Sequence, residues 1–96
     1  MKIEKELVAN KLTVKVEGRL DTMTAPELEK EVKEAMENAT ELVFDFKNLE
    51  YISSAGLRVL FSLFKLAKQK MIIRNANEIV MEVFEVTGFA DVFHIE

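Results

Sequence analysis

The sequence contains no cysteine and only one histidine, His94, among its 96 residues. Without cysteine the chain has neither disulfides nor thiolate metal ligands, a composition compatible with a reducing cytoplasm. The aspartates Asp21, Asp45 and Asp91 lack the spacing of a carboxylate metal site, so we expect no metal. Phosphate-binding motifs of the G-x-x-x-x-G-K-S/T and G-x-G-x-x-G types are also absent, which leaves nucleotide binding and other cofactors without support.

A catalytic serine has equally little support. Ser54 does not lie in a G-x-S-x-G elbow, and the only histidine that could activate it is near the carboxyl end. We expect His94 to be a surface or sheet-edge residue, and the chain not to be an enzyme.

Long hydrophobic runs are missing as well. The longest apolar stretch, residues 59–66, is interrupted by Ser62 and Lys65 and is too short to cross a bilayer. Residues 1–10 alternate charged and apolar side chains, unlike a secretory signal. We therefore expect a cytoplasmic protein with no direct membrane insertion.

The composition that is present is typical of one folded domain. Hydrophobic residues make up 49% and charged residues 31% of a chain of 96 residues, enough for a single core spanning residues 1–96. The net charge is −4 and the basic residues are scattered along the chain. This pattern disfavours a dedicated nucleic-acid surface.

Alternating apolar residues at Leu12, Val14 and Val16 predict a strand, and residues 3–8 predict an earlier one. Ala9 and Asn10 turn the two into a hairpin, and we expect Gly18 to end the second strand. Thr24 and Glu27 then form a predicted capping box, with Pro26 tolerated in the first helical turn. This helix runs to about Asn38 and places one set of residues on its apolar face: Ala25, Leu28, Val32, Ala35 and Met36.

A strand follows at residues 42–46, and a second helix begins at the two serines that come after it. Its wide apolar face comprises Leu57, Leu60, Phe61, Phe64 and either Leu66 or Ala67. Residues 71–73 predict another strand, although the connection at residues 68–70 is tight and contains no glycine. Asn75 with Glu78 predicts the start of a third helix, and Gly88 its end, before a tail with at most a residue or two of strand.

The resulting order is ββαβαβα. Helical crossovers between the later strands require those strands to be parallel neighbours. The fold class is therefore α/β: a small sandwich with a mixed sheet of four to five strands and helices packed on it.

Residues 51–60, which include Ser53 and Ser54, carry the most information about function. The serines stand between an apolar strand region and an apolar helix, where serine is a favoured cap. A helix start also presents free N–H groups and a positive dipole end, so an exposed hydroxyl there can carry a phosphate. From these residues alone, simple capping is the favoured of the two interpretations.

Three segments give the chain its resemblance to the STAS domain family, the fold of bacterial anti-sigma factor antagonists. They are Gly18-Arg19-Leu20-Asp21, residues 42–46 leading into Tyr51-Ile52-Ser53-Ser54-Ala55-Gly56-Leu57, and Val83-Phe84-Glu85-Val86-Thr87-Gly88-Phe89. The resemblance covers essentially the whole chain. The second segment is the most specific, although Ser53 stands where the family usually has aspartate.

The resemblance implies that Ser54 is a phosphorylation site, with Ser53 as the second choice. It places Asp21 on the acidic loop residue that lies near the phosphorylated serine. The implied partner-binding residues are Asp21, Thr22, Met23, Ser53, Ser54, Ala55, Gly56, Leu57 and Arg58.

By resemblance, the expected function is that of an anti-sigma factor antagonist. Its partners would be an anti-sigma factor that is a serine kinase and a PP2C-like serine phosphatase that reverses the phosphorylation. We expect a monomer that needs no cofactor of its own. The alternative is a constitutive accessory subunit of a membrane transport complex or of another regulatory complex.

Overall fold

Six strands and three α-helices make up the computed structural model, which describes all residues from 1 to 96. The strands are β1 (Lys2–Val8), β2 (Lys11–Leu20), β3 (Glu41–Asp45), β4 (Leu49–Ile52), β5 (Met71–Arg74) and β6 (His94–Ile95). The helices are α1 (Ala25–Ala35), α2 (Ser54–Leu66) and α3 (Glu78–Thr87), with short 3₁₀ turns at Met36–Asn38 and Phe89–Asp91.

The sheet is mixed, as the sequence predicts. Its order is β1-β2-β3-β5-β6, with β4 pairing to the far end of β2. Only β1 and β2 are antiparallel, and every other pair is parallel. The α/β class is confirmed, but the sheet has six strands rather than four to five. The sequence pattern misses β4 because Glu50 interrupts its apolar residues, whereas β5, of the same length, begins with three apolar residues in a row.

Gly18 does not end β2, contrary to the sequence prediction. The strand continues to Leu20, and Gly18 has φ +99° at a shift in register. Residues 11–15 of β2 pair with β3, whereas Gly18 already lies opposite Leu49 of β4 and, after the shift, Arg19 lies opposite Tyr51. Since glycine adopts positive φ without steric cost, Gly18 accommodates the irregularity in the pairing of β2 with β4.

The buried residues form one hydrophobic cluster between the sheet and the helices. The predicted face of α1 is correct, with Leu28 and Val32 fully buried. For α2, Ala67 is buried and Leu66 is 47% exposed, so Ala67 belongs to the buried face. Helical spacing alone does not tell which of these adjacent residues is buried, and the packing of the folded chain decides it.

The start of α3 differs from the sequence prediction. The cap of α3 is Asn77, not Asn75: its side-chain oxygen accepts the N–H of Val80 at 2.8 Å. Asn75 instead adopts φ +63° and donates its amide to Asp45 at 3.0 Å. Gly88, with φ +84°, ends α3 as predicted.

Candidate functional site

The two adjacent serines have different roles at the start of α2. Ser53 is the cap: its backbone is extended, its hydroxyl accepts the N–H of Gly56 at 3.4 Å, and its carbonyl accepts the N–H of Leu57 at 3.0 Å. Ser54 is the first helical residue and is exposed, and its hydroxyl takes no part in capping. One serine is therefore used in holding the helix start, and the other is free on the surface.

Backbone pairing brings the loop after β2 next to the start of α2. The N–H of Ser53 donates to the carbonyl of Leu20 at 2.9 Å, so residue 21 follows directly beside the serines. Thr22 from this loop lines a shallow groove of about 330 Å³ together with Ala55 and Arg58 of α2. We call the surface formed by residues 21–23 and 53–58 the serine face.

Asp21 organises the loop on the serine face. Its Oδ1 atom accepts the N–H of Met23 at 3.0 Å and the N–H of Thr24 at 3.2 Å. The hydroxyl of Thr24 accepts the N–H of Asp21 and donates to the carbonyl of Arg19, both below 3.0 Å. Thr24 therefore makes no side-chain cap of α1, and the predicted capping box with Glu27 is wrong.

These bonds also set the charge of Asp21. Partial desolvation disfavours its carboxylate, but the N–H groups of Thr24 and Met23, the hydroxyl of Thr24 and the charge of Arg19 together lower the pKa of Asp21 below its ordinary value. The carboxylate is thus ionised at neutral pH. It gives the serine face a fixed negative charge beside the two serines.

Arg19 and Tyr51 are additional residues at the edge of this surface. The guanidinium carbon of Arg19 lies 4.4 Å from the centre of the Tyr51 ring, and its Nε lies 4.0 Å from Oδ2 of Asp21. Both residues occur in the family-like segments of the sequence, but their contact depends on the pairing of β2 with β4. Without β4 the sequence gives no signal that connects them.

Gly56 and Leu57 are the buried members of the serine face and support it from beneath. Leu57 is 5% exposed, and a Cβ atom on Gly56 would come within 2.8 Å of both Leu20 and Ile52. These contacts are closer than carbon atoms tolerate, so glycine is required for α2 to lie against β2 and β4. The two residues support the surface that others present.

The exposed members of the serine face are Thr22, Met23, Ser54 and Arg58, while Asp21, Ser53 and Ala55 are half-buried. Met23 stands out because 86% of it is exposed, the largest fraction of any large apolar residue in the chain. An apolar tip, a free hydroxyl and a carboxylate therefore lie on one small surface. Such a combination is suited to contact with another protein.

No helix of the chain combines the length and the apolar character needed to cross a membrane. No three His, Cys, Asp or Glu side chains come together as a metal-binding group. His94 lies on the edge strand β6 and is exposed, with its ring centre 6.3 Å from that of Phe64.

A mixed sheet covered by three helices is the architecture of a STAS domain. The chain belongs to the STAS domain family, whose family model matches residues 2–96. It is 28% identical over 89 residues to the anti-sigma-B factor antagonist of Bacillus subtilis, an alignment that covers 90% of this chain and 82% of the relative. It is 30% identical over 86 residues to the anti-sigma-B factor antagonist of Staphylococcus aureus, covering 85% of this chain and 80% of the relative.

Solved structures show the same fold. The anti-sigma factor antagonist SpoIIAA in its unphosphorylated form superimposes with a TM-score of 0.85 at 16% identity, covering 99% of this chain and 88% of that one. The Bacillus cell fate determinant SpoIIAA in its phosphorylated form superimposes with a TM-score of 0.76 at 15% identity, covering 99% and 91%.

Proposed function

We propose that this chain is an anti-sigma factor antagonist: a binding protein, not an enzyme, that contacts an anti-sigma factor through the serine face. The relatives that carry this name align over 85% of this chain or more. The observation that carries the proposal is the exposed hydroxyl of Ser54, free of capping bonds, on the same surface as Met23 and Asp21.

The anti-sigma factor of this proposal is a serine kinase that phosphorylates Ser54 with its own ATP. Phosphorylation adds about −1.5 to −2 charges and three acceptor oxygens. At the first position of α2, the N–H groups of Ser54 and Ala55 are left over from capping, since Ser53 accepts those of Gly56 and Leu57. Arg58 is four residues along the helix, the spacing at which side chains on a helix surface meet.

The phosphate is therefore accommodated by groups already at the helix start, without refolding. Its effect falls on the partner, because a nearly neutral docking patch becomes strongly negative beside the ionised Asp21. If the partner's docking surface is acidic, the phosphate meets a like charge, which costs several kcal/mol at an interface. Each ~1.4 kcal/mol is tenfold in affinity. That is sufficient for release of the kinase.

Ser53 is the weaker candidate for the modified residue. It is half-buried, and its hydroxyl and carbonyl hold the first turn of α2. Phosphorylation there would replace the existing cap, whereas phosphorylation of Ser54 leaves the cap in place. A PP2C-like phosphatase in the cytoplasm would complete the cycle by removing the phosphate.

The test is intact mass and site mapping after the purified chain is incubated with the candidate kinase and Mg-ATP. We expect one phosphate, mapped to Ser54, that is absent from Ser54→Ala and present in the matched control Ser53→Ala. A phosphate on Ser53 would keep the function and move the site. Stable complexes with no phosphate from any candidate kinase would instead indicate a constitutive accessory subunit.

A further inference from the structure

Charge is separated along the second half of the chain. Residues 51–77 contain five cations, which we call the basic set, and no acid. Residues 78–96 contain five acids, the acidic set, and no lysine or arginine. Within this half, one ion pair joins the two sets, between Arg74 and Glu96 at 3.0 Å. The other charges of both sets make no ion pair anywhere in the protein.

The acidic set includes one face of α3. At about 100° per residue, Ile79 and Val86 align within about 20° of each other on the helix surface. They are 57% and 76% exposed, whereas Val80 and Phe84 on the opposite side are fully buried. The glutamates of α3 lie along one flank of this apolar line. We call this surface the acidic stripe; it comprises Glu78, Ile79, Glu82, Glu85 and Val86.

The basic set includes a groove at the far end of α2. Between the ends of α1 and α2 lies a groove of about 260 Å³ whose walls are mainly apolar. Leu66, 47% exposed, lies on its wall, and Lys68 and Lys70 lie at its rim. We call this surface the lysine groove; it is lined by Met36, Ala39, Thr40, Leu66, Ala67, Lys68 and Lys70.

We propose that the lysine groove binds the acidic stripe of a second copy of this chain. The two surfaces match in kind: an apolar groove with cations at its rim, and an apolar helix line with anions on its flank. Within one chain they remain apart, since α3 packs mainly against β4 and the turn that follows it, and the groove lies between α1 and α2.

The contact is head-to-tail, because it joins two different surfaces of the chain. It leaves the serine face open, since Leu66 lies twelve residues along α2 from Ser54, or about 18 Å at 1.5 Å per residue. The proposal is therefore independent of the proposed function. Because the charges are exposed, the association is weak, and salt suppresses it.

The test is sedimentation velocity of the full chain at concentrations up to about 1 mM, the range of weak contacts. We expect the average mass to rise with concentration at about 20 mM NaCl, and the association to weaken about tenfold or more at about 300 mM. A mass that stays monomeric over this range at low salt would overturn the proposal.

Charge reversal tests the pairing itself. The variants Glu82→Lys/Glu85→Lys and Lys68→Glu/Lys70→Glu should each lose self-association, and an equimolar mixture of the two should regain it. The control Glu6→Lys/Glu50→Lys makes the same change in charge as Glu82→Lys/Glu85→Lys, at exposed positions outside both surfaces, and should associate like the parent. Circular dichroism establishes that each variant is folded. Folded variants that still associate alone, or whose mixture stays monomeric, would contradict this pairing.

Discussion

The two ends of α2 are built in different ways. At the start, Ser53 caps the helix and Gly56 allows it to lie against β2 and β4. At the end, the chain turns through Lys68 and Gln69 with φ of +53° and +68°, a conformation that glycine usually supplies. Residue chemistry explains the start, whereas the end is held by its packing and backbone bonds despite local strain.

The two ends of α2 should therefore tolerate different substitutions. The start is closely packed beneath and presents a free hydroxyl above, so a new charge there alters the surface without disturbing the core. The end carries an unfavourable backbone conformation that the surrounding structure overcomes. Changes of side chain at the two ends should therefore have opposite effects on stability.

The largest expected effect is on partner binding at the start of α2. We expect Ser54→Asp to bind the anti-sigma factor about 100-fold more weakly, or about 2.7 kcal/mol, because a carboxylate adds charge beside Asp21. Ser54→Ala should bind like the unmodified protein and should not respond to ATP. Isothermal titration calorimetry measures both affinities, and equal affinities for the two variants would contradict a charge switch.

The next effect is on folding. Gly56→Ala should lower the free energy of unfolding by about 1–3 kcal/mol, because the new Cβ meets Leu20 and Ile52 at 2.8 Å. Urea denaturation measures the change. The control is Ser62→Ala, a half-buried position in the middle of the same helix where alanine fits. An unaltered unfolding midpoint for Gly56→Ala would show that the helix start is less closely packed than described.

At the other end of α2, glycine should have the opposite effect. We expect Gln69→Gly to raise the free energy of unfolding by up to about 1 kcal/mol, since glycine relieves the strain of a left-handed residue and loses part of this gain to greater freedom when unfolded. Gln69→Ala is the matched control and should change little because it keeps the Cβ atom. A destabilised Gln69→Gly would mean that side-chain contacts of Gln69 outweigh the backbone strain.

The smallest effect is a dependence on pH at the start of α2. Because the folded-state pKa of Asp21 is lowered from its ordinary value of 3.8, its carboxylate stabilises the fold above that value, and this contribution is lost as the pH falls below it. Asp21→Asn should therefore lose less stability than the parent protein as the pH falls from neutral to ~2, as measured by thermal melts. Asp91→Asn, at an exposed position, is the control, and identical acid profiles for the two variants would count against the role of Asp21.

Much of the fold could be predicted because its signals are local. The alternation of β2, the apolar face of α1, the serine cap of α2 and the glycine that ends α3 depend on neighbouring residues, and each prediction is correct. The errors concern residues whose hydrogen-bond partners the local pattern does not specify. The predicted cap Asn75 donates to Asp45, far away in the sequence, and Thr24 bonds to its near neighbours Asp21 and Arg19 instead of capping α1.

The candidate site follows the same division. The sequence singles out Ser54 and Asp21 by resemblance. The phosphorylation of Ser54 and the binding of an anti-sigma factor remain predictions. The different states of the two serine hydroxyls depend on which residue begins α2, and the contact of Arg19 with Tyr51 depends on the pairing of β4 with β2. β4 carries a weak sequence signal because Glu50 interrupts its apolar residues, unlike β5 of the same length.

By itself, the sequence determined the α/β class, the helix faces and the place where a serine pair begins α2, because hydrophobic periodicity and capping act over a few residues. Tertiary structure decided which of Leu66 and Ala67 is buried, that Arg19 contacts Tyr51, and that β2 pairs with β3 up to Lys15 and with β4 from Gly18. The physical reason is that burial and strand pairing depend on residues far apart in the chain, which meet only when the whole core is assembled.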